Sequence, residues 1–328
     1  MIDAEKIFTA FENLDVLIIG DVMIDRYLTG KVDRISPEAP VPVVQLYHTE
    51  NRLGGAANVA LNVQAMGAKA HLCSFIGKDE NAELFFRLMP QENLDQQNIL
   101  QSNERKTTVK TRVIASNQHL LRVDTEDTHD LSANETDQFL SAIKSFLNRQ
   151  KIDVILFQDY NKGVLTHELI NAIIEEALQR NIPTAVDPKK DNFLSYKNTT
   201  LFKPNLKEVR EALPFSIDPD LASLQKASDF LRQKLNHENT LITLSEKGIF
   251  ADDKKQSMIL PTHPRNITDV CGAGDTVISI AALGLAISMD LKDIALLTNL
   301  AGGQVCEKVG VVPVNKKQLK EEYERLIV

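Results

Sequence analysis

The chain has 328 residues, enough for one large α/β domain with a small attachment. A net charge of −8 argues against a nucleic-acid or anionic-membrane partner, because both call for a basic face. Its 3 cysteines are scattered and lack a Cys-x-x-Cys spacing, which fits a reducing compartment better than a disulfide scaffold or a zinc site. The N-terminus lacks the basic start and apolar core of a signal peptide, so we expect a soluble cytoplasmic protein.

The first regular element is a continuous apolar run at 15–19, which predicts a central strand buried on both faces. Gly20 follows it without a Gly-x-Gly-x-x-Gly spacing, so a dinucleotide site is not expected, and no P-loop motif occurs in the chain. Asp21 and Asp25 lie beyond the C-terminal end of this strand, where open α/β sheets bind ligands. Carboxylates bind sugar hydroxyls well, although an Asp after a strand is often only a turn residue.

The pattern changes within 26–51, where three prolines forbid a helix and residues 41–46 predict an edge strand. A second extended patch at 107–115 and 119–124 alternates like a half-buried hairpin. We expect these segments, 26–51 and 105–125, to form a small sheet that stands apart from the main one as a lid.

A stretch of small residues separates the first lid segment from a predicted helix at 56–63. Gly54 and Gly55 let a ligand approach the backbone, and Asn58 offers both a donor and an acceptor to sugar hydroxyls. Taken alone, the stretch is explained slightly better by a helix N-terminus that needs room to pack.

The rest of the chain alternates strands and helices at the spacing of a parallel sheet covered on both faces. A capping box of Ser132 and Glu135 begins one of these helices. No repeat or linker interrupts the pattern, so we expect a single domain over 1–328. Strands are predicted at 70–76, 153–157, 184–186, 200–202 and 240–244, and helices at 80–89, 132–149, 166–180, 205–213 and 220–235.

Asn205 and Glu208 lie three residues apart at a predicted helix start and therefore share a face. That face could hold a magnesium ion through water beside nucleotide phosphates, and a simple N-cap role for Asn205 is about equally favoured. Lys162 and Lys189 each follow a predicted strand, where they could meet phosphate or lie in a solvated loop.

The segment Asp-Val-Cys-Gly-Ala-Gly-Asp-Thr at 269–276 precedes an apolar run at 277–289 that predicts a buried helix. Small residues at 272–274 leave backbone N–H groups free to face an anion, and the helix dipole adds a partial positive charge there. Asp275, in the first turn, can take a proton from an attacking hydroxyl. The pairing predicts phosphoryl transfer from a nucleotide to an alcohol, with a tight turn and a dipole-compensating Asp as the open alternative.

In this order the motifs resemble the PfkB (ribokinase-like) family of sugar kinases from end to end. The glycine stretch near the N-terminus and the Gly-Ala-Gly-Asp near the C-terminus are that family's two signatures. The resemblance implies a three-layer α/β sandwich with a mostly parallel sheet and a β lid often used for dimerisation, hence a homodimer through the lid strands. It implies Asp275 as catalytic base and the amides of Gly272, Ala273 and Gly274 as an anion hole.

For the nucleotide, the resemblance implies ATP with Mg²⁺ near Asn205 and Glu208, and it leaves room for a monovalent cation. Nucleotide contacts are expected from Asn205, Leu206, Lys207, Glu208, Ser245, Glu246, Gly248 and Asn299.

A narrower resemblance lies in 34–43, Arg-Ile-Ser-Pro-Glu-Ala-Pro-Val-Pro-Val, which is similar to the hallmark of heptose 7-phosphate kinases, the kinase half of bifunctional ADP-heptose synthases. Similar stretches occur at 20–27, 159–163 and 187–189 and in the hairpin with Asn117, Gln118 and Arg122. This resemblance implies phosphorylation of the C1 hydroxyl of D-glycero-D-manno-heptose 7-phosphate for ADP-heptose biosynthesis. Expected sugar-binding residues are Asp21, Asp25, Gly54, Gly55 and Asn58, with Lys110, Arg112, Lys162 and Lys189 as unranked candidates for its phosphate.

Two features depart from the pattern. Cys271 stands where the family usually has threonine, so a hydroxyl contact is lost. The chain stops at Val328 without room for a nucleotidyltransferase domain, so we expect a stand-alone kinase. The alternatives are a PfkB kinase for another sugar, sugar phosphate or nucleoside, and a non-catalytic sugar-phosphate or nucleotide sensor. A nicotinamide-dependent oxidoreductase is the weakest, because the glycine fingerprint is missing.

Overall fold

The computed structural model of the protein describes residues 4–116 and 118–327. Its strands are β1 (Asp15–Gly20), β2 (Val22–Ile35), β3 (Pro42–Gly55), β4 (Lys69–Gly77), β5 (Ile99–Ser102), β6 (Val109–Ala115), β7 (Gln118–Thr125), β8 (Val154–Gln158), β9 (Thr184–Asp187), β10 (Leu201–Phe202), β11 (Asn239–Thr243), β12 (Ile249–Asp252) and β13 (Ser257–Leu260). Its α-helices are α1 (Ala4–Phe11), α2 (Ala56–Ala65), α3 (Glu80–Gln91), α4 (Ala133–Arg149), α5 (His167–Gln179), α6 (Leu206–Ala212), α7 (Leu221–Leu235), α8 (Ala273–Ala286), α9 (Leu291–Val305) and α10 (Lys316–Ile327). Among these helices, none has the length and apolar character that a bilayer crossing requires.

The main sheet has nine strands in the order β13-β12-β11-β10-β9-β8-β1-β4-β5. It is parallel from β11 to β5, and β12 and β13 extend it antiparallel at one edge. On β1, Val16 and Ile18 face one hydrophobic core while Leu17 and Ile19 face the other, as the alternation of side chains along a strand requires. Helices cover both faces, α1, α2, α3, α8, α9 and α10 on one side and α4, α5, α6 and α7 on the other. The predicted three-layer α/β fold is confirmed.

A second, four-stranded sheet has the order β3-β2-β6-β7, and we call it the lid sheet. The predicted strand at 41–46 is part of β3, and the predicted hairpin is β6 and β7. Asn117 of the expected turn lies outside the described residues. Residues 26–35 of the long strand β2 fall in the expected lid segment 26–51, but β2 was not predicted as a separate strand with these bounds. It is the central partner that joins β3 to β6.

The main sheet and the lid sheet meet at the end of β1, where the chain passes into β2 through Asp21 alone. Gly20, the last residue of β1, lies against β8: a Cβ at this position would be 2.0 Å from the Gln158 carbonyl oxygen. The carbonyl oxygen of Gly20 also accepts a hydrogen bond from Ser74 at 2.6 Å. This junction leaves no space for a side chain.

We therefore predict that Gly20→Ala destabilises the fold by about 1–3 kcal/mol, the usual cost of overpacking a filled interior. The midpoint of urea denaturation should fall with an unchanged m-value. A wild-type midpoint would show that the β1–β8 contact is more pliable than its geometry indicates.

Candidate active site

The N-terminus of α8 offers free backbone donors at the end of a buried helix. Gly272 is its N-cap and has a φ of 79°, in the left-handed region that favours glycine, and a Cβ there would lie 3.1 Å from Asn58 Nδ2. In the part of the chain that the structure describes, the N–H groups of Gly274 and Asp275 have no backbone acceptor. Residues 272–274 are half-buried and thus within reach of a ligand. Together with the helix dipole, these amides form an anion-binding corner.

Asp275 is buried beside this corner and is held by three side-chain donors. Its Oδ2 accepts from Asn58 Nδ2 at 2.8 Å, and its Oδ1 accepts from the Tyr160 hydroxyl at 2.6 Å and from Gln158 Nε2 at 3.2 Å. Burial raises the pKa of Asp275 to about 6, against the hydrogen bonds from Asn58 and Tyr160, which lower it. A carboxylate with this pKa is mostly ionised at neutral pH and can accept a proton.

The glycine stretch before α2 provides the space that brings Asn58 to Asp275. A Cβ on Gly54 would lie 2.1 Å from Asp25 Oδ2, so only glycine lets β3 pass that carboxylate. Gly55 is the N-cap of α2 with a φ of 62°. The glycines thus give the helix N-terminus room to pack, which is the interpretation favoured for the motif alone. They also place Asn58 in the site.

The two carboxylates after β1 have different surroundings. Asp21 accepts the backbone N–H groups of Tyr160 at 2.8 Å and of Lys162 and Val164 at 3.2 Å each. It therefore holds the loop after β8 in place, and burial raises its pKa to about 6. Asp25 is also buried and pairs with the guanidinium of Arg112 on β6. The expected role of both residues in sugar binding stays a prediction.

The residues at the start of α6 make contacts that explain the helix itself. Asn205 and Glu208 form a reciprocal capping box, with Asn205 Oδ1 accepting from the Glu208 N–H at 2.9 Å and Glu208 Oε2 accepting from the Asn205 N–H at 2.8 Å. Glu208 Oε1 pairs with Lys189 Nζ at 2.6 Å. Between them, Leu206 packs on the core and the side chain of Lys207 is exposed. The simple cap is thus present, and a magnesium role for the same pair stays a prediction.

The other expected nucleotide residues lie at the antiparallel edge of the main sheet. Ser245 and Glu246 lie in a 3₁₀ turn that ends at Gly248. Gly248 has a φ of 100°, and a Cβ at this position would lie 1.9 Å from the Leu260 carbonyl oxygen, so only glycine fits. Asn299 on α9 donates to the carbonyl of Pro261 at 2.8 Å, so it fixes the end of β13. No contact joins this group directly to Asp275 among the hydrogen bonds described.

Three buried polar residues, Gln158, Asp187 and Lys203, and the half-buried Tyr160 lie near Asp275 and were not predicted as site residues. Gln158, Tyr160 and Asp187 lie at or just after the ends of β8 and β9, and Lys203 follows β10. Lys203 Nζ pairs with Asp187 at 3.0 Å and would lie 3.9 Å from a Cβ on Gly274, so a buried cation lies behind the anion-binding corner. The signal was present in the sequence, since polar residues directly follow three apolar strands that end at the same edge of the sheet.

The thiol of Cys271 is half-buried at the mouth of the site. Its backbone N–H donates to Asp269 Oδ1 at 3.0 Å, and the same carboxylate accepts from the Gly310 N–H at 2.9 Å. Burial, with the contact to Asp269, raises the pKa of Cys271 to about 11. The side chain of Cys271 is therefore a neutral thiol, and its backbone contact to Asp269 helps to hold the loop before α8.

The fold and this corner define a carbohydrate kinase. The sequence model of the pfkB family carbohydrate kinases matches residues 13–318, and the chain belongs to this family. It is therefore an ATP-dependent sugar kinase.

Among its relatives, the bifunctional protein HldE of Methylobacillus flagellatus is 42% identical over 94% of this chain and 62% of the relative. The HldE of Trichlorobacter lovleyi is 39% identical over 96% of this chain and 64% of the relative. The chain thus spans less than two thirds of the length of these relatives.

Solved structures agree on the fold. Phosphofructokinase-2 from Escherichia coli, in complex with potassium, superposes with a TM-score of 0.80 at 18% identity, covering 96% of this chain and 99% of that one. Ribokinase from Arabidopsis thaliana, complexed with ribose and ATP, gives a TM-score of 0.71 at 13% identity, covering 94% and 99%. The ribokinase-like sandwich with a small separate sheet is therefore confirmed.

The surroundings of Asp275 generate a pH prediction. Below pH 6 its carboxyl is protonated and cannot accept a proton, so kcat/KM should rise with pH through about 6, the pKa that burial gives this group. Tyr160→Phe removes a donor that lowers this pKa and should move the acidic limb to higher pH. Tyr47→Phe, an exposed residue of the lid sheet, is the matched control and should leave the limb in place. An unshifted limb in Tyr160→Phe would mean that another group controls it.

Proposed function

We propose that the chain transfers the γ-phosphoryl group of ATP to the C1 hydroxyl of D-glycero-D-manno-heptose 7-phosphate. The observation that carries the proposed chemistry is the buried Asp275 beside the free amides of α8. The choice of acceptor is supported by the identity of 36% to 42% to the HldE relatives over nearly the whole chain, together with the heptose-kinase resemblance of residues 34–43. We also propose that one kinase domain extends over the chain.

In the proposed mechanism, the oxygen of the sugar hydroxyl bonds to the γ-phosphorus while Asp275 accepts the proton of that hydroxyl. The bond between that phosphorus and the β,γ-bridging oxygen breaks, and ADP leaves with the bonding electron pair. Of the expected anion-hole amides, the Ala273 N–H already donates to the Val270 carbonyl at 3.3 Å. The N–H groups of Gly272, Gly274 and Asp275 therefore stabilise the charge on the transferred group, and Lys203 behind them adds a positive charge. Asn58, which is expected to bind the sugar, donates through Nδ2 to Asp275 Oδ2 and so orients the carboxylate.

PfkB kinases typically use a divalent metal with ATP, and the residues here fit an ion held mainly by phosphate. Within the described residues, no group of three or more His, Cys, Asp and Glu could hold a metal ion by itself. Magnesium usually keeps several waters and takes one or two carboxylates beside substrate phosphates. We therefore propose that Glu208 and Asn205 would contact the magnesium ion through water molecules. When bound, the ion would neutralise phosphate charge. Because the phosphofructokinase-2 structure contains potassium, a monovalent cation belongs in the assay.

A homodimer through the lid sheet is part of the proposal. Large apolar side chains are exposed on this sheet, and such a patch marks an interaction surface. They are Val32, Ile35, Leu46, Tyr47, Leu120, Leu121 and Val123, with Val41 in the connection just before β3. A phosphofructokinase-2 structure from E. coli is a tetrameric inhibited form, so assembly occurs in a protein of this fold.

Asp275→Asn should lower kcat by about 10²-fold or more, because general-base catalysis is typically worth 10²–10⁴-fold. ATP should still bind, since the backbone amides are unchanged, and calorimetry with a non-hydrolysable ATP analogue measures this. Asp137→Asn, on the exposed side of α4, is the control. Near-normal turnover of Asp275→Asn would show that Asp275 is not the general base.

The acceptor is tested by ADP release over a panel of sugars and sugar phosphates with Mg²⁺ and potassium. We expect the highest kcat/KM with D-glycero-D-manno-heptose 7-phosphate. Fructose 6-phosphate, nucleosides and unphosphorylated heptose represent the rival acceptors. A preference for one of these would replace the proposed acceptor, and sugar binding without ADP release from any of them would favour a sensor.

A further inference from the structure

Two buried asparagines lie one turn apart on α2. Asn58 and Asn62 are four residues apart, so they share a face of the helix, and the exposed fraction of each is 0%. Because water does not reach them, their amides must find hydrogen-bond partners within the protein. A side-chain amide has a donor end and an acceptor end, so these partners also decide which way each amide faces.

The acceptor end of Asn62 is fixed by two donors from other parts of the fold. Asn62 Oδ1 accepts from the backbone N–H of Val314, just before α10, and from the hydroxyl of Thr276 on α8, both at 3.0 Å. A backbone N–H can only donate, so the oxygen of the Asn62 amide must face Val314. The NH2 group of Asn62 is therefore turned the other way.

That NH2 group faces the two oxygens of Asn58. Asn62 Nδ2 donates to the backbone carbonyl of Asn58 at 2.9 Å and lies 3.4 Å from Asn58 Oδ1. With Oδ1 turned to this donor, Asn58 directs its own Nδ2 to Asp275 Oδ2, at 2.8 Å. The two amides thus form a polarised chain of hydrogen bonds that starts at the N–H of Val314 and ends at the carboxylate.

The direction of the Asn58 amide matters because its two ends have opposite effects on Asp275. The Nδ2 end donates to the ionised carboxylate and favours it, whereas the Oδ1 end would accept from the protonated acid and favour that form. Burial raises the pKa of Asp275 to about 6, and the hydrogen bond from Asn58 acts in the opposite direction. The donor on Asn62 holds Asn58 in the orientation that favours the ionised form.

We propose that Asn62 is a positioning residue, which holds the amide of Asn58 so that its NH2 group faces the proton acceptor Asp275. The proposal rests on the role of Asp275 as general base proposed above. Asn62 acts through Asn58, and its own orientation is set by α8 and by the segment before α10. Three parts of the chain that meet only in the folded protein therefore determine which end of the Asn58 amide the base contacts.

The first test is Asn62→Leu, because Leu has the branched shape of Asn without its polar atoms. Without the donor of Asn62, the amide of Asn58 can turn and accept from the protonated acid. The acidic limb of kcat/KM should therefore move to higher pH by about 0.5–1 unit, the shift that one hydrogen bond produces. The substitution leaves unchanged the titratable groups that surround Asp275, namely Tyr160, Asp187 and Lys189, with Lys203 paired to Asp187.

The matched control is Gln304→Leu on α9. Gln304 is also a buried amide, and its Oε1 accepts the backbone N–H of Asn315, the neighbour of Val314, at 2.6 Å. Both leucine variants leave a buried N–H without its acceptor and should lower the midpoint of urea denaturation, but only Asn62→Leu should move the acidic limb. A wild-type limb in Asn62→Leu, or an equal shift in Gln304→Leu, would refute the positioning role.

A double-mutant cycle tests whether Asn62 acts through Asn58. Asn58→Ala removes the intermediate residue, so adding Asn62→Leu to it should produce no further shift of the limb. A further shift of the same size would overturn the proposal. If Asn62→Leu does not fold, Asn62→Asp replaces it in the cycle, because it keeps an oxygen for Val314 and Thr276 and lacks the donor. Its shift should then be larger with Asn58 present than with Asn58→Ala, and equal shifts would overturn the proposal.

A ¹³C NMR titration of the Asp275 carboxyl, assigned by its absence in Asp275→Asn, measures the same effect without turnover. A raised pKa of this carboxyl in Asn62→Leu supports the positioning role even if Asp275→Asn keeps near-normal turnover, in which case only the proposed base fails. An unchanged pKa in the folded variant overturns the positioning role and leaves the proposed base standing.

Discussion

The structure depends on one energetic compromise, the burial of the Asp275 carboxylate. Burial penalises the charged form, and aligned hydrogen-bond donors offset part of that penalty. Asn58, Tyr160 and Gln158 come from three different elements to supply them. The result is a group with a pKa of about 6, near the pH at which a proton acceptor is most effective. Much of the fold around the site serves to hold these donors in place.

A second layer of contacts supports the first. Asp21 binds three backbone N–H groups of the loop that carries Tyr160, and it is itself buried. Lys203 and Lys189 both pair with Asp187, and these charges oppose the effect of burial strongly enough that the pKa of Asp187 is lowered. The site therefore contains carboxylates with opposite pKa shifts, one kept ionised by lysines and one poised near neutrality.

Sequence reasoning could recover most of the parallel sheet because its strands are short apolar runs between helices. It assigned residues 26–35 to the lid sheet but could not define β2 as a strand, because charged residues such as Asp25 and Lys31 interrupt the apolar alternation. It also missed α9, where Gly302 and Gly303 lower helix propensity. Gly302 is there for packing, since a Cβ would lie 2.9 Å from Val277 of α8.

The site was recoverable only in part. Asp275 and the small residues before it are adjacent in sequence, so their chemistry could be predicted. Gln158, Tyr160 and Lys203 join them only through the order of strands in the sheet, which a single sequence does not specify. The capping box of Ser132 and Glu135 was visible as a motif, and Asn205 was visible as a candidate N-cap. Only the structure shows that Glu208 completes a second box with Asn205 and also pairs with Lys189.

The connections of the lid sheet have little slack. β1 and β2 are separated by Asp21 alone, and α2 begins at Ala56 directly after β3 ends at Gly55. Any tilt of the small sheet must therefore pull on the first turn of α2, and with it on Asn58, and on the peptide held by Asp21. The geometry around the proton acceptor Asp275 is therefore coupled to the angle between the two sheets.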